Sequence, residues 1–301
     1  MDKNSLPNRI TLEGDTLTVV SGRIARPCRV MILGDTHFST DDERGEPFRR
    51  YSARMAQYGR QEMTALEDRL KSVEARKIDA VILAGDIISF PSEAGVEKLL
   101  SLMRSCPVPC YYTAGNHDWH YEGTAGSDRE LREEWIGRRL LPLYAGRNPL
   151  YYAETHCGIK FILIDNSVYQ ILPEQLDFLK AQLSDGRPAI LAMHIPLYLP
   201  GRGSDYPCGN PQWGKEDPYY QIERRERWPE SGPSQTTLDF HRLALSAPNV
   251  LGIVAGHTHQ FDADQINGRF QLVAAWGGVP AILNLLPAGS SGAESVFEKY
   301  E

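Results

Sequence analysis

The sequence has few cysteines, no long apolar run and no excess of basic residues. Five cysteines occur in 301 residues, and none forms a Cys-x-x-Cys pair, so a zinc ribbon or a disulfide framework is not expected. Reduced thiols and a cytoplasmic location are the better prediction. The polar N-terminus lacks the apolar stretch of a secretory signal, and no run approaches the ~18 apolar residues that predict a membrane span. A formal net charge of −7 disfavours nucleic acid as the main partner.

What remains is the composition of an ordinary globular chain, 42% hydrophobic and 24% charged. Without internal repeats or low-complexity linkers, it predicts a single domain over residues 1–301. One long loop insertion, residues 198–235, interrupts the pattern with six prolines and two tryptophans. Its aromatic content favours a functional loop over a disordered one. It could bind substrate through its aromatics and through Arg224, Arg225 or Arg227, or it could be a lid that only packs over the sheet edge.

Continuous apolar runs predict strands that are buried on both faces. These runs cover residues 28–33, 80–84, 110–113, 161–164, 189–193, 250–255 and 270–275. In residues 61–77 the apolar residues recur at helical spacing, which predicts a helix. Ser92 and Pro173 are suited to begin two further helices. Alternation of strands and helices predicts an α/β fold with a largely parallel centre, and a hairpin turning at Cys157-Gly158 predicts that the sheet is mixed.

Five short blocks of metal-binding residue types follow these strands. They are Gly34-Asp35-Thr36-His37, Gly85-Asp86, Gly115-Asn116-His117-Asp118, Met193-His194-Ile195-Pro196 and Gly256-His257-Thr258-His259. Each block alone is also compatible with a turn that carries solvated side chains. Together they hold five of the eight histidines, and open α/β sheets bind ligands beyond the carboxyl ends of their strands. The set therefore predicts a two-metal site, since Asp, Asn and His are donors for transition metals.

The spacing within the blocks suggests separate roles. Asp35 and His37 lie two residues apart, so in an extended segment their side chains can point the same way and bind one ion. The Asp86 carboxylate has two oxygens and can bridge two cations. His117 follows Asn116 directly, so its side chain is expected to point elsewhere and to be available for proton transfer, with Asp118 placed to orient it.

The ordered set of blocks resembles the calcineurin-like metallophosphoesterase superfamily, from Asp35 to His259. This resemblance implies a four-layer α/β/β/α sandwich with two central mixed β-sheets. It assigns Asp35, His37 and His259 to one metal, Asn116, His194 and His257 to the other, and Asp86 to both. It also makes His117 a catalytic histidine and Asp118 its supporting carboxylate. Ser89 stands where the purple acid phosphatases carry a ligand tyrosine, which argues against that subclass.

The expected activity is hydrolysis of a small-molecule phosphodiester or phosphomonoester. Two metal ions held ~3.5–4 Å apart can share a hydroxide that attacks phosphorus. Mixed carboxylate, amide and imidazole donors suit Mn, Fe or Zn. A nuclease of the same fold and a non-catalytic metal-bound scaffold are the alternatives.

Overall fold

Two six-stranded mixed β-sheets form the centre of the protein, with helices flanking them. The computed structural model describes residues 8–45, 48–57, 59–121, 123–202, 206–211, 221–222, 226–227 and 232–290. The first sheet has the order β1-β2-β14-β3-β4-β5. Its strands are β1 (Arg9–Glu13), β2 (Thr16–Ser21), β3 (Cys28–Leu33), β4 (Ala80–Ala84), β5 (Cys110–Thr113) and β14 (Ala281–Pro287). The strands β3, β4 and β5 are parallel, as predicted.

The second sheet has a parallel centre and two antiparallel edges, in the order β12-β13-β11-β8-β7-β6. Its strands are β6 (Tyr151–His156), β7 (Ile159–Ile164), β8 (Ala189–Ala192), β11 (Val250–Ala255), β12 (Asp262–Ile266) and β13 (Arg269–Val273). A further antiparallel pair joins β9 (Gln221–Ile222) to β10 (Glu226–Arg227). The predicted hairpin is β6 and β7, with a turn at Cys157 and Gly158 between them.

The continuous apolar runs arise because both faces of the central strands are covered. Along β7, Phe161 and Leu163 join the large core that also contains the first sheet. The alternate residues Ile162 and Ile164 join a second cluster on the opposite face. A strand buried on both faces shows no polar alternation, which explains the sequence pattern.

Helices cover the outer faces of the sheets. They are α1 (Arg49–Met55), α2 (Arg60–Lys71), α3 (Glu93–Ser105), α4 (Asp128–Trp135), α5 (Pro173–Leu183) and α6 (Gln235–Ser246). The predicted cap of α3 is present, since the Ser92 hydroxyl accepts a hydrogen bond from Gly95 N at 3.0 Å. The helix predicted over residues 61–77 is shorter in the structure. It ends at Lys71, and turns follow from Ser72 to Lys77. Among the described residues, no helix is long and apolar enough to cross a membrane.

Candidate metal centre

The five blocks meet at one edge of the two sheets, beyond the carboxyl ends of β3, β4, β5, β8 and β11. The loops after β3 and β4 keep pairing past the end of the strands. Asp35 N donates to Gly85 O at 3.1 Å, and His37 N donates to Asp86 O at 2.9 Å. These backbone hydrogen bonds hold the first two blocks side by side.

We call Asp35, His37 and His259 the open side of the centre. Their donor atoms face each other, with 3.1 Å between His37 Nε2 and His259 Nε2. Asp35 Oδ1 lies 3.9 Å from His37 Nε2 and 3.6 Å from His259 Nε2. Asp35 is fully buried, whereas the His259 side chain is 51% exposed. The open side therefore extends from a buried carboxylate to a solvent-exposed imidazole.

We call Asn116, His194 and His257 the closed side. His194 Nε2 lies 3.1 Å from Asn116 Oδ1, and the rings of His194 and His257 are 5.1 Å apart. His194 Nδ1 lies 2.9 Å from Ala84 O. Because a carbonyl can only accept, Nδ1 carries a proton, and Nε2 is the ring nitrogen that faces the centre.

Asp86 lies between the two sides. Its Oδ2 is 3.2 Å from His194 Nε2 and 3.8 Å from His37 Nε2, so one oxygen faces both sets of donors. Its other oxygen accepts a hydrogen bond from His117 N at 2.8 Å. The His117 ring packs edge-on against that of His37, with centroids 4.6 Å apart. A ring nitrogen of His117 also lies within 4.8 Å of donor atoms of His37 and Asp86, so geometry alone allows it to be a ligand as well.

The centre contains three buried carboxyl groups. Asp35, Asp86 and Asp118 are each at most 1% exposed. Burial raises the pKa of Asp35 to about 8. Although burial opposes the charge on both partners, their attraction holds the pKa of Asp86 well below its usual range and raises that of His194 to about 10. Buried carboxylates are stable only when positive charge is near them, so the cluster attracts cations.

The buried donors fit a metal ion. Asp35 Oδ1 is buried and accepts no hydrogen bond within the described part of the chain. Ligands that each bind one ion at about 2.0–2.2 Å lie about 3–4 Å from one another, as the open-side donors do. Three groups of donor atoms in the cluster lie close enough to hold an ion, and Asp86 belongs to two of them. The donor set therefore suits a dinuclear centre.

The backbone of the predicted ligands is strained. Asp35, His37, Asp86, His257 and His259 all have φ between 46° and 76°, the left-handed region that non-glycine residues rarely adopt. Such conformations cost on the order of 1–3 kcal/mol each and persist where the surrounding structure imposes them. This strain turns both histidines of the His-x-His block, and both donors of the first block, toward the centre.

Two block glycines make room for carboxylates of other blocks. A methyl group on Gly115 would overlap Asp86 Oδ1, and one on Gly256 would lie 2.5 Å from Asp35 Oδ2. The contacts of these glycines show that they let two loops approach each other closely.

Asp118 contacts the backbone of the ligand loops. Its carboxylate accepts hydrogen bonds from Asp86 N, Ile88 N and Gly115 N at 2.8–2.9 Å. It thereby fixes the loop that carries Asp86. Sequence reasoning did not anticipate this contact, and the proposed support of the His117 ring stays a prediction.

Sequence reasoning missed Asn166. This residue follows β7, and its Oδ1 accepts hydrogen bonds from His194 N at 3.2 Å and Ile195 N at 3.0 Å. Its Nδ2 donates to Ile195 O at 2.7 Å. The fully buried Asn166 thus holds the backbone that carries His194. The signal was the polar run Asp165-Asn166-Ser167 directly after an apolar strand, a sixth junction of the same kind.

The described portion of the predicted insertion packs against the edge strand β12. Arg202 pairs with Asp262 at 3.0 Å and with Asp264 at 2.7 Å, and Tyr198 N donates to Cys208 O at 2.9 Å. The other predicted contacts of the insertion fall on side chains outside the described residues, namely Trp213, Arg224, Arg225, Arg227 and Trp228.

This arrangement agrees with the comparison to protein families. Residues 28–261 match the calcineurin-like phosphoesterase family, and the chain belongs to that family. It is therefore a metal-dependent phosphoric ester hydrolase, as the sequence predicted.

The fold is also seen in solved structures. A dimetal phosphatase from Danio rerio gives a TM-score of 0.52 at 14% identity, covering 83% of this chain and 88% of that one. A purple acid phosphatase from yellow lupin (Lupinus luteus) gives 0.51 at 16% identity, covering 91% of this chain and 48% of that one. At such identities the likeness supports the sandwich fold alone. No curated protein matches the sequence.

Proposed function

We propose that this protein hydrolyses a small-molecule phosphodiester or phosphomonoester at a centre of two transition metal ions. The observation that carries the proposal is the position of Asp86 Oδ2, which faces His194 Nε2 on the closed side and His37 Nε2 on the open side. One oxygen facing two donor sets suits a shared ligand. The proposed metals are Mn, Fe or Zn, because carboxylate, amide and imidazole donors suit these ions.

The open side is where the substrate is expected to bind. Two bound metal ions would supply a water nucleophile that is deprotonated near neutral pH and would neutralise phosphate oxygens. The exposed His259 and the partly exposed His37 border solvent, so a phosphate can reach the centre from this direction.

His117 is proposed to donate a proton to the leaving group. When the bond from phosphorus to the ester oxygen breaks, that oxygen gains negative charge, and the imidazolium proton neutralises it. The backbone N–H of His117 is fixed on Asp86 Oδ1 at 2.8 Å, which holds the ring at the rim of the centre.

Substitution His117→Ala tests this role. Loss of a general acid is expected to reduce kcat about 100- to 10,000-fold. Metal content, measured by inductively coupled plasma mass spectrometry, should stay at the wild-type value. A variant that loses metal in parallel with activity would show that His117 is a ligand, which the geometry also allows.

The activity itself is tested on the Mn-loaded protein with p-nitrophenyl phosphate and bis-p-nitrophenyl phosphate. Turnover that disappears on chelation and returns with Mn is expected for at least one of them. The ratio of the two rates separates a monoesterase from a diesterase. Absence of turnover on both, followed by absence on nucleotides and phospholipid headgroups, would favour the non-catalytic scaffold instead.

A further inference from the structure

The segment that follows β13 is attached to the open side of the metal centre. Trp276 N donates to His259 O at 3.3 Å, and Gly277 N donates to Asp35 O at 3.0 Å. Two consecutive residues of this segment are therefore hydrogen bonded to the backbone of two predicted ligands. The backbone of residue 276 therefore lies beside the open side of the centre.

This segment is fixed at a third point. Arg69, on α2, donates from Nε to Gly278 O at 3.3 Å. Gly277 and Gly278 have φ of 74° and 72°, so they permit a tight turn between these attachments. A backbone held at three points is fixed before a ligand arrives, which lowers the backbone entropy lost on binding.

Large apolar side chains are exposed on this segment. Trp276 is 50% exposed and Val279 is 48% exposed. Within the part of the chain that the structure describes, the other exposed large hydrophobic residue is Leu141. Single exposed apolar residues are common on protein surfaces, but two within four residues beside a metal centre form a patch that suits a ligand.

We propose that Trp276 and Val279 form the binding surface for the organic group of the substrate, and that this group is aromatic. The inference rests on the proposed function, because the metal centre is taken to bind the phosphoryl end. An aromatic ester group extends from that end over the rim, where the indole offers a flat partner for stacking. A protein partner is disfavoured, since a stable interface buries ~800 Å² on each side and the patch is two side chains wide.

The test compares aromatic and aliphatic ligands on Trp276→Ala and Trp276→Phe. For Trp276→Ala, KM for p-nitrophenyl phosphate or its diester should rise about tenfold, while KM for glycerol 2-phosphate stays constant. Trp276→Phe should recover most of the loss, because a ring is retained. The matched control is Leu141→Ala, which removes an exposed apolar side chain of the 3₁₀ turn Leu141–Tyr144 and should change neither KM.

A binding measurement without turnover separates this inference from the proposed function. Calorimetric titration of the Mn-loaded protein should show phenylphosphonate binding about tenfold more tightly than methylphosphonate, and Trp276→Ala should remove this preference. An equal preference in both proteins, or none in the wild type, overturns the inference. If the protein binds phenylphosphonate more tightly than methylphosphonate but hydrolyses no ester, the proposed function is wrong, whereas the aromatic binding site is supported.

Discussion

The open and closed sides of the centre each combine two imidazoles with one oxygen donor, but they hold these donors differently. On the closed side, His194 is fully buried and its ring is fixed on Ala84 O. On the open side, His259 is half exposed and hydrogen bonds through its backbone carbonyl to Trp276 N. Donors held rigidly before binding lose little entropy when an ion arrives. We therefore expect the closed side to retain its metal more tightly and the open side to exchange it and admit substrate.

The largest expected effect comes from removing the residue that both sides share. Asp86→Ala should empty both sides and lower kcat on the order of a thousandfold, because several kcal/mol of transition-state stabilisation depend on the metals. Metal content measured alongside kcat checks the prediction. A variant that keeps a full metal complement would mean that Asp86 does not bridge, and the two sides would then be independent sites.

The next prediction compares His194→Ala with His259→Ala. Loss of the buried His194 should remove the closed-side metal and lower the free energy of unfolding of the metal-free protein by about 2–4 kcal/mol. Loss of the half-exposed His259 should weaken metal binding at the open side and change that free energy by less than about 0.5 kcal/mol.

Urea unfolding of the metal-free variants and titration with Mn measure these two effects separately. Equal loss of stability in the two variants would remove the distinction between the sides. Stronger loss of metal from His259→Ala than from His194→Ala would reverse it.

A smaller effect is expected from Asn166, which positions His194 without contacting the metals. Asn166→Ala should reduce metal affinity at the closed side about 10- to 100-fold, as is typical for residues that orient a ligand. The matched control is Asn249→Ala. Asn249 is also a buried asparagine, and its Nδ2 donates to Leu183 O and Arg187 O, away from the centre.

Both asparagine variants should lose stability, Asn166→Ala by about 1–3 kcal/mol because it leaves buried backbone groups unpaired, and Asn249→Ala by less because its partners are only partly buried. Only Asn166→Ala should lose metal affinity. If Asn249→Ala lowers that affinity as much, the effect of Asn166 is a general loss of stability and not positioning.

Much of the fold and the ligand set followed from local sequence patterns. Strands such as β3 and β4 were predictable because both of their faces are buried, so that all of their residues except Arg29 are apolar. Strand β2 was missed because its burial alternates and its sequence is partly polar. Strand β14 was also missed, and its place between β2 and β3 depends on pairing between distant parts of the chain.

Within the site, the sequence predicted the donors but not what holds them. Asp35 and His37 could be read from a strand end, whereas the Asn166 hydrogen bonds join residues 28 and 29 positions apart. The same applies to Asp118, whose carboxylate joins the loops after β4 and β5. The polar run after β7 marks Asn166 as a candidate, but the sequence does not name the partners of Asn166 or Asp118, because these depend on which strands pair within each sheet.

The close approach of Gly115 to Asp86 and of Gly256 to Asp35 has a consequence for protein engineering. Each glycine serves a carboxylate that belongs to a different block, so no block is complete by itself. A graft of the His-x-His block onto another sandwich would fail unless the recipient already carried the matching aspartate loop. The centre can be transferred between scaffolds only as a whole, with its spacing glycines included.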